Sequence, residues 1–250
     1  MSKVELVRSY PYKIRVYQVG STGKISLHHI FNLLQDVAHR DAMSFGFGFP
    51  QMLKFDRLWV LSRMSLELDA LPSYDDEVDI HTWVSSVAGS KSEREFAIVF
   101  NGKRIIKATS LWYCLSSKDH RPASIPMEES LVELINNEHV VPGGAKRIES
   151  FGSETNWKNK TTLRTRNSDV DMVDHVNNAS YVRWVMDEAR TVYPKRLVSK
   201  FSINYLKQVR LGERVEVRHV EGADGQMFQE VIMVDSGKIA CKTSTVWKNK

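Results

Sequence analysis

The sequence predicts an α+β fold of two tandem units, each a long helix wrapped by a curved antiparallel sheet. Three observations lead there. A helix-period segment followed by strand-period segments occurs twice in the same order, as an internal repeat does once residue identities have diverged. Tight-turn residues, Asn101-Gly102 and Asp235-Ser236-Gly237, fall at matching places in the two halves. A stretch broken by Pro122, Pro126, Pro142 and Gly143-Gly144 lies between them.

In the first half, Tyr10 to Tyr17 reads as a strand and Leu27 to Phe45 as a helix with Ser26 at its N-cap. Ile30, Phe31, Leu34, Val37 and Ala38 form its apolar stripe. Strands follow at Leu58–Leu68, Glu77–Ser86, Glu93–Phe100 and Ile105–Leu115, rich in β-branched and aromatic residues. Met127 to Asn136 suits a short helix in the join, and the boundary falls near Pro142, giving units 1–141 and 142–250. The second half repeats the series: strand Thr161–Thr165, helix Asn178–Val192, then strands Leu197–Tyr205, Arg214–Val220, Phe228–Val234 and Ile239–Trp247. Fragments echo one another, as KRIIKATSLW does GKIACKTSTVW. Each helix must bury its stripe against a sheet. That is the arrangement of a double hotdog fold. A fused pair needs no second chain to complete its site, although a homodimer stays open.

Composition narrows the function. The 250 residues are 42% hydrophobic with a formal net charge of +5. Mild basicity suits an acidic partner, and equally a plain solvated surface. No apolar run approaches the roughly 20 residues that span a bilayer, and the start lacks a secretory or transit pattern. Cys114 and Cys241 show no metal spacing and sit in strand-like segments. They read as buried free thiols of a cytoplasmic protein. His28-His29 is an adjacent helical pair whose rings should point apart, a solvated face rather than a metal site. Gly46-Phe47-Gly48-Phe49 reads first as a loop capping the first helix, second as a mobile cover over an apolar ligand.

The densest polar cluster is Asp169 to Asn178, just before the second helix. A loop entering a helix N-terminus can aim side chains, backbone N–H groups and the positive end of a dipole at a carbonyl oxygen gaining charge. Asn177 and Asn178 are also ordinary capping residues. Asp171 and His175 make an acid/base pair. The matching first-half loop, Val19 to Ile30, has no such pair. No GxSxG elbow or Walker loop occurs.

LWVLSRMSLELDALPSYDDEVDIHTWVSS (Leu58 to Ser86), KATSLWYCLSSKDHRPASIP (Lys107 to Pro126) and DVDMVDHVNNASYVRWVMDEA (Asp169 to Ala189) occur in this order. Together they resemble the plant and bacterial acyl-acyl carrier protein thioesterases over nearly the whole chain. The resemblance implies hydrolysis of a fatty acyl thioester in fatty acid biosynthesis, with acyl carrier protein bearing the acyl-phosphopantetheine arm as partner. It implies no cofactor, no metal and no nucleic acid. Carried over by position, it gives Asp171 as general base or, second, as nucleophile, and His175 as its network partner and proton donor. Asn177 fixes the loop or contacts the carbonyl. Two positions depart from the family pattern. Val173 stands where Asn is frequent, and Gln208 matches a frequent Glu. Glutamine can hold a water but cannot take its proton. The alternatives are acyl-coenzyme A hydrolysis, a hotdog dehydratase or hydratase, and a non-catalytic acyl-binding protein. Phe31, Leu34, Met52 and Trp59 are the expected determinants of chain length. Arg166, Arg183, Lys207 and Arg210 are the expected carrier-facing cations.

Overall fold

A computed structural model of the chain describes residues 6–152 and 154–248. These form two compact units, Met1–Ala145 and Lys146–Lys250. In the first, β1 (Arg8–Lys13), α1 (Leu27–Ser44) and a short α2 (Phe49–Leu53) precede β2 (Arg57–Leu68), β3 (Glu77–Ala88), β4 (Lys91–Phe100) and β5 (Lys103–Ser116). The single turn α3 (Glu128–Val132) follows. The strands run antiparallel in the order β1-β3-β4-β5-β2. In the second unit, β6 (Lys158–Arg164), α4 (Asn178–Val192), β7 (Leu197–Tyr205), β8 (Arg214–Glu221), β9 (Gln226–Met233) and β10 (Ile239–Lys248) repeat the plan. Their order is β6-β8-β9-β10-β7, also antiparallel. Each unit is thus a hotdog.

Local chemistry explains most boundaries. Asn101 and Gly102 both take positive φ, at 48° and 73°, which matches the right-handed twist of the hairpin strands. The first strand ends at Lys13 rather than at Tyr17. The Arg15 backbone N–H donates to the Gln18 side-chain oxygen at 2.8 Å, and Val16–Gln18 winds into a 3-10 turn. Val16 and Tyr17 have high strand propensity, but at 69% and 68% exposure they find no sheet to pack on. Ser26 occupies the N-cap of α1, but its hydroxyl donates to the Gln18 carbonyl at 3.2 Å instead of accepting a helix amide. The rings of His28 and His29 do not point apart. Their centroids lie 4.1 Å from one another.

Helix α1 buries Ile30, Phe31, Leu34, Val37 and Ala38, the stripe expected of it. The first sheet is covered on both faces, because β4 buries consecutive residues from Arg94 to Ile98. Toward α1, Arg94 pairs with Asp41 at 2.5 Å. By strand alternation Glu95 faces the other way. It accepts hydrogen bonds from Ser85 (3.1 Å), Thr109 (2.8 Å) and the Val140 N–H (3.2 Å), with the His139 ring at 3.2 Å. The segment after α3 is therefore fastened to the outer face, where Trp83 packs on Val140 and Val141 and donates to the Glu138 carbonyl.

The Gly46–Phe49 segment is a core-forming cap. Phe47 is buried with Met52, Val84 and Cys114, and its carbonyl accepts the Trp59 indole N–H at 3.1 Å. A Cβ placed on Gly48 would meet the Met43 sulfur at 2.1 Å and its Cα at 3.0 Å. We expect Gly48→Ala to cost about 1–3 kcal/mol through overpacking, read as a lower urea midpoint at unchanged slope. An unchanged midpoint would mean that Met43 repacks freely.

Candidate active site

The segment from Asp169 to Asn177 is a short hairpin leading into α4. Val170 and Val176 pair as an antiparallel bridge. Beyond it the Asp171 N–H donates to the His175 carbonyl at 2.9 Å, and the Asn177 N–H to the Asp169 carbonyl at 2.8 Å. Alternation then turns Asp169, Asp171, His175 and Asn177 to one face and Val170 and Val176 to the other. The tip is closed by the Asp174 N–H on the Asp171 carbonyl (3.1 Å), with Asp174 at φ 60°. One Asp171 carboxylate oxygen accepts the Val173 N–H at 3.1 Å, an Asx-type turn. Asp171 and His175 are half-buried, and among the described residues no hydrogen bond joins their side chains. They stand opposite one another across the hairpin, held there by backbone.

Asn177 is the N-cap of α4, its side-chain oxygen accepting the Ala179 N–H at 2.9 Å. The Ser180 N–H bonds to the Asn177 carbonyl at 2.9 Å. These two helix-start donors, which the sequence offered for a substrate carbonyl, are therefore engaged in capping. The dipole of α4 still directs its positive end here.

The first unit builds the same frame without the chemistry. Arg15 N–H to Gln18 matches Arg166 N–H to Asp169 (2.7 Å). Val19 pairs with Ile25 as Val170 does with Val176. Gly20 N–H to the Lys24 carbonyl (3.0 Å) matches Asp171 to His175, and Ser26 N–H to the Gln18 carbonyl (3.0 Å) matches Asn177 to Asp169. Gly23, at φ 71°, takes the place of Asp174. Gly20 and Lys24 thus stand where Asp171 and His175 stand. The hairpin forms without a carboxylate or an imidazole at those points.

The segment after β7 lies along this hairpin, since the Val176 N–H donates to the Val209 carbonyl at 2.9 Å. That places Gln208 one residue from the contact, exposed and in a loop rather than on a strand. Tyr181 ties the same segment to α4: its hydroxyl accepts the Val209 N–H at 3.2 Å and reaches the Lys207 carbonyl at 3.5 Å. Tyr205 donates to the Asn178 carbonyl at 3.0 Å. Burial pushes both phenols far above their ordinary range; next in effect is Cys241, and for Tyr181 the Asp171 charge adds a small part. Both stay protonated donors. Helical spacing alone presents Tyr181 only as one apolar position of α4, with Val182, Val185, Met186 and Ala189, because period shows a face and not a hydroxyl's partner. Asp169 was also missed as a distinct group. Its buried carboxylate pairs with Arg183, so Arg183 is engaged within the unit and is not a loose surface cation.

Comparison with known proteins decides the family. Residues 5–133 match the acyl-ACP thioesterase N-terminal domain and residues 152–249 the acyl-ACP thioesterase C-terminal domain. The chain belongs to the acyl-ACP thioesterase family. A chloroplastic acyl-[acyl-carrier-protein] hydrolase of Cuphea viscosissima is 25% identical over 261 residues, covering 98% of this chain and 62% of that relative. This thioesterase-family chain thus spans about three-fifths of the length of the first curated relatives it matches. Its fold is that of the 12:0-ACP thioesterase from Umbellularia californica, with a TM-score of 0.88, 22% identity and 100% coverage of both chains. An acyl-ACP thioesterase from Bacteroides thetaiotaomicron gives 0.87 and 23% over 97% of this chain and 98% of its own. No helix among the described residues of this family member is long and apolar enough to cross a membrane.

Proposed function

We propose that the chain hydrolyses fatty acyl thioesters carried on acyl carrier protein, releasing free fatty acid. One observation carries this reading within the family frame. Two matching hairpins share their backbone bonds, yet only the second bears Asp171 and His175 where the first bears Gly20 and Lys24. Groups the scaffold does not need are groups available for chemistry.

In the reaction, Asp171 takes a proton from water as the water oxygen bonds to the thioester carbonyl carbon. The positive end of the α4 dipole stabilises the oxyanion. The carbon–sulfur bond then breaks, and His175 gives a proton to the departing thiolate. Asn177 holds the loop to the helix as its cap, and Gln208 is the residue we assign to holding the water. A cytoplasmic setting belongs to the same reading, since both cysteines are free and buried, as reducing compartments keep them. The named Cuphea relative is chloroplastic.

The carrier assignment has its own test. Arg166, Lys207 and Arg210 are exposed on the two segments that flank the hairpin, and acyl carrier proteins are acidic. Raising salt should lower kcat/KM for carrier-linked substrate much more than for a short neutral thioester. Coenzyme A thioesters should fall between them. Equal salt dependence for carrier-linked and neutral substrates would remove charge steering from the reading and favour coenzyme A.

A further inference from the structure

We infer that Asp169 and Arg183 form a positioning pair in which Arg183 neutralises a buried structural charge beside the Asp171–His175 hairpin. This rests on the reading of Asp171 and His175 as the reacting groups, but its test does not require turnover.

Asp169 is 2% exposed and fully engaged. One carboxylate oxygen accepts the Arg166 N–H at 2.7 Å and the other meets the Arg183 guanidinium. Its main-chain carbonyl accepts both the Asn177 N–H (2.8 Å) and the Ser180 hydroxyl (3.0 Å). Asp169 therefore joins the hairpin's entry strand to the first turn of α4, on the face that carries Asp171 and His175. The first unit provides an internal control. There Gln18 closes the identical turn with a neutral oxygen, and the helix position matching Arg183 is Asn32. The turn itself thus needs no charge. Of the two matching hairpins, it is the one bearing Asp171 and His175 that has a buried carboxylate with an arginine partner.

Asp187, one turn beyond Arg183 on α4, is exposed and also feels the Arg183 charge; the other charges lie around the hairpin. Asp171 and Asp174 lie on it, and Arg166 precedes it. Lys207, Arg210 and Glu213 lie on the facing segment, with the Glu213 carboxylate accepting the Arg210 N–H. Each is more exposed than Asp169 and better screened by water. As an intact pair, Asp169 and Arg183 nearly cancel. Breaking the pair from either side leaves one net charge within about 7 Å of Asp171, two residues along an extended strand. Because the two breaks leave opposite charges, they must move the titration of the hairpin in opposite directions.

The experiment is an NMR titration of the His175 imidazole in the full chain and its variants. Asp169→Asn keeps an oxygen for Arg166 and leaves the Arg183 charge without its buried counter-charge, with only the exposed Asp187 one turn away. The His175 pKa should fall by about half a unit. Arg183→Gln leaves the Asp169 charge uncompensated, and the pKa should rise by a similar amount. Arg183→Lys should stay near the parent value, and so should the Asp169→Asn/Arg183→Gln double variant, which also guards against a single variant that fails to fold. The pH–rate profile for a neutral thioester should shift in the same two senses. Shifts of the same sign, or none above about a tenth of a unit, would overturn the pair's role. If the shifts occur but Asp171→Asn retains full turnover, the pair stands and the assignment of the reacting groups fails.

Discussion

Asp171→Asn should lower turnover of carrier-linked substrate by at least about a hundredfold, some 2.7 kcal/mol of lost transition-state stabilisation. The amide cannot take a proton from water, whatever the rest of the site does. The fold should be untouched. Asparagine still offers an oxygen to the Val173 N–H that the carboxylate now accepts at 3.1 Å. The first unit closes the same hairpin over Gly20 with no side chain at all. Circular dichroism and the thermal midpoint should therefore match the parent protein while kcat collapses with KM little changed. Near-normal turnover in a folded Asp171→Asn protein would remove the general base from the mechanism. A collapse of both fold and activity would instead make the residue a turn former.

The largest effect on stability should come from the buried pair in the first unit. The Asp41 side chain is 2% exposed and that of Arg94 9%, with 2.5 Å between them. Arg94 also donates to the Thr82 hydroxyl at 3.1 Å. Removing the carboxylate alone, as in Asp41→Ala, leaves a guanidinium buried without its counter-charge, a change worth about 3–5 kcal/mol. Replacing both partners by apolar residues of similar size, Asp41→Leu with Arg94→Met, should recover most of that loss. Urea unfolding, followed alongside hydrogen exchange of the β4 amides, separates this unit from the second. A single-variant loss below about 1 kcal/mol would mean that water reaches the pair.

Much of this was legible in the residue pattern. Period-2 and period-3.6 stretches placed the strands and both long helices, because burial on one face is written directly into spacing. Asn101-Gly102 marked its hairpin because few other residue pairs tolerate positive φ at both points. Asp171 and His175 stood out as titratable groups beside a helix start. Where the reading strayed, local hydrogen bonds had overridden propensity: Val16 and Tyr17 favour strands, yet the Gln18 side chain turns the backbone before they reach one.

The repeat, the α+β class and the acid/base candidates thus follow from order and spacing along the chain. The long-range partners do not. Asn177 as cap was open to the sequence, being a local contact with Ala179, but Arg183 bound to Asp169 and Tyr181 holding the Val209 segment depend on groups distant in sequence meeting in space. The matching of Gly20 to Asp171 and Lys24 to His175 is likewise a fact of backbone hydrogen bonds. Side-chain identity had diverged too far to show it. Spacing encodes which face a residue occupies, whereas the partner it finds there is fixed by how strands and helices pack.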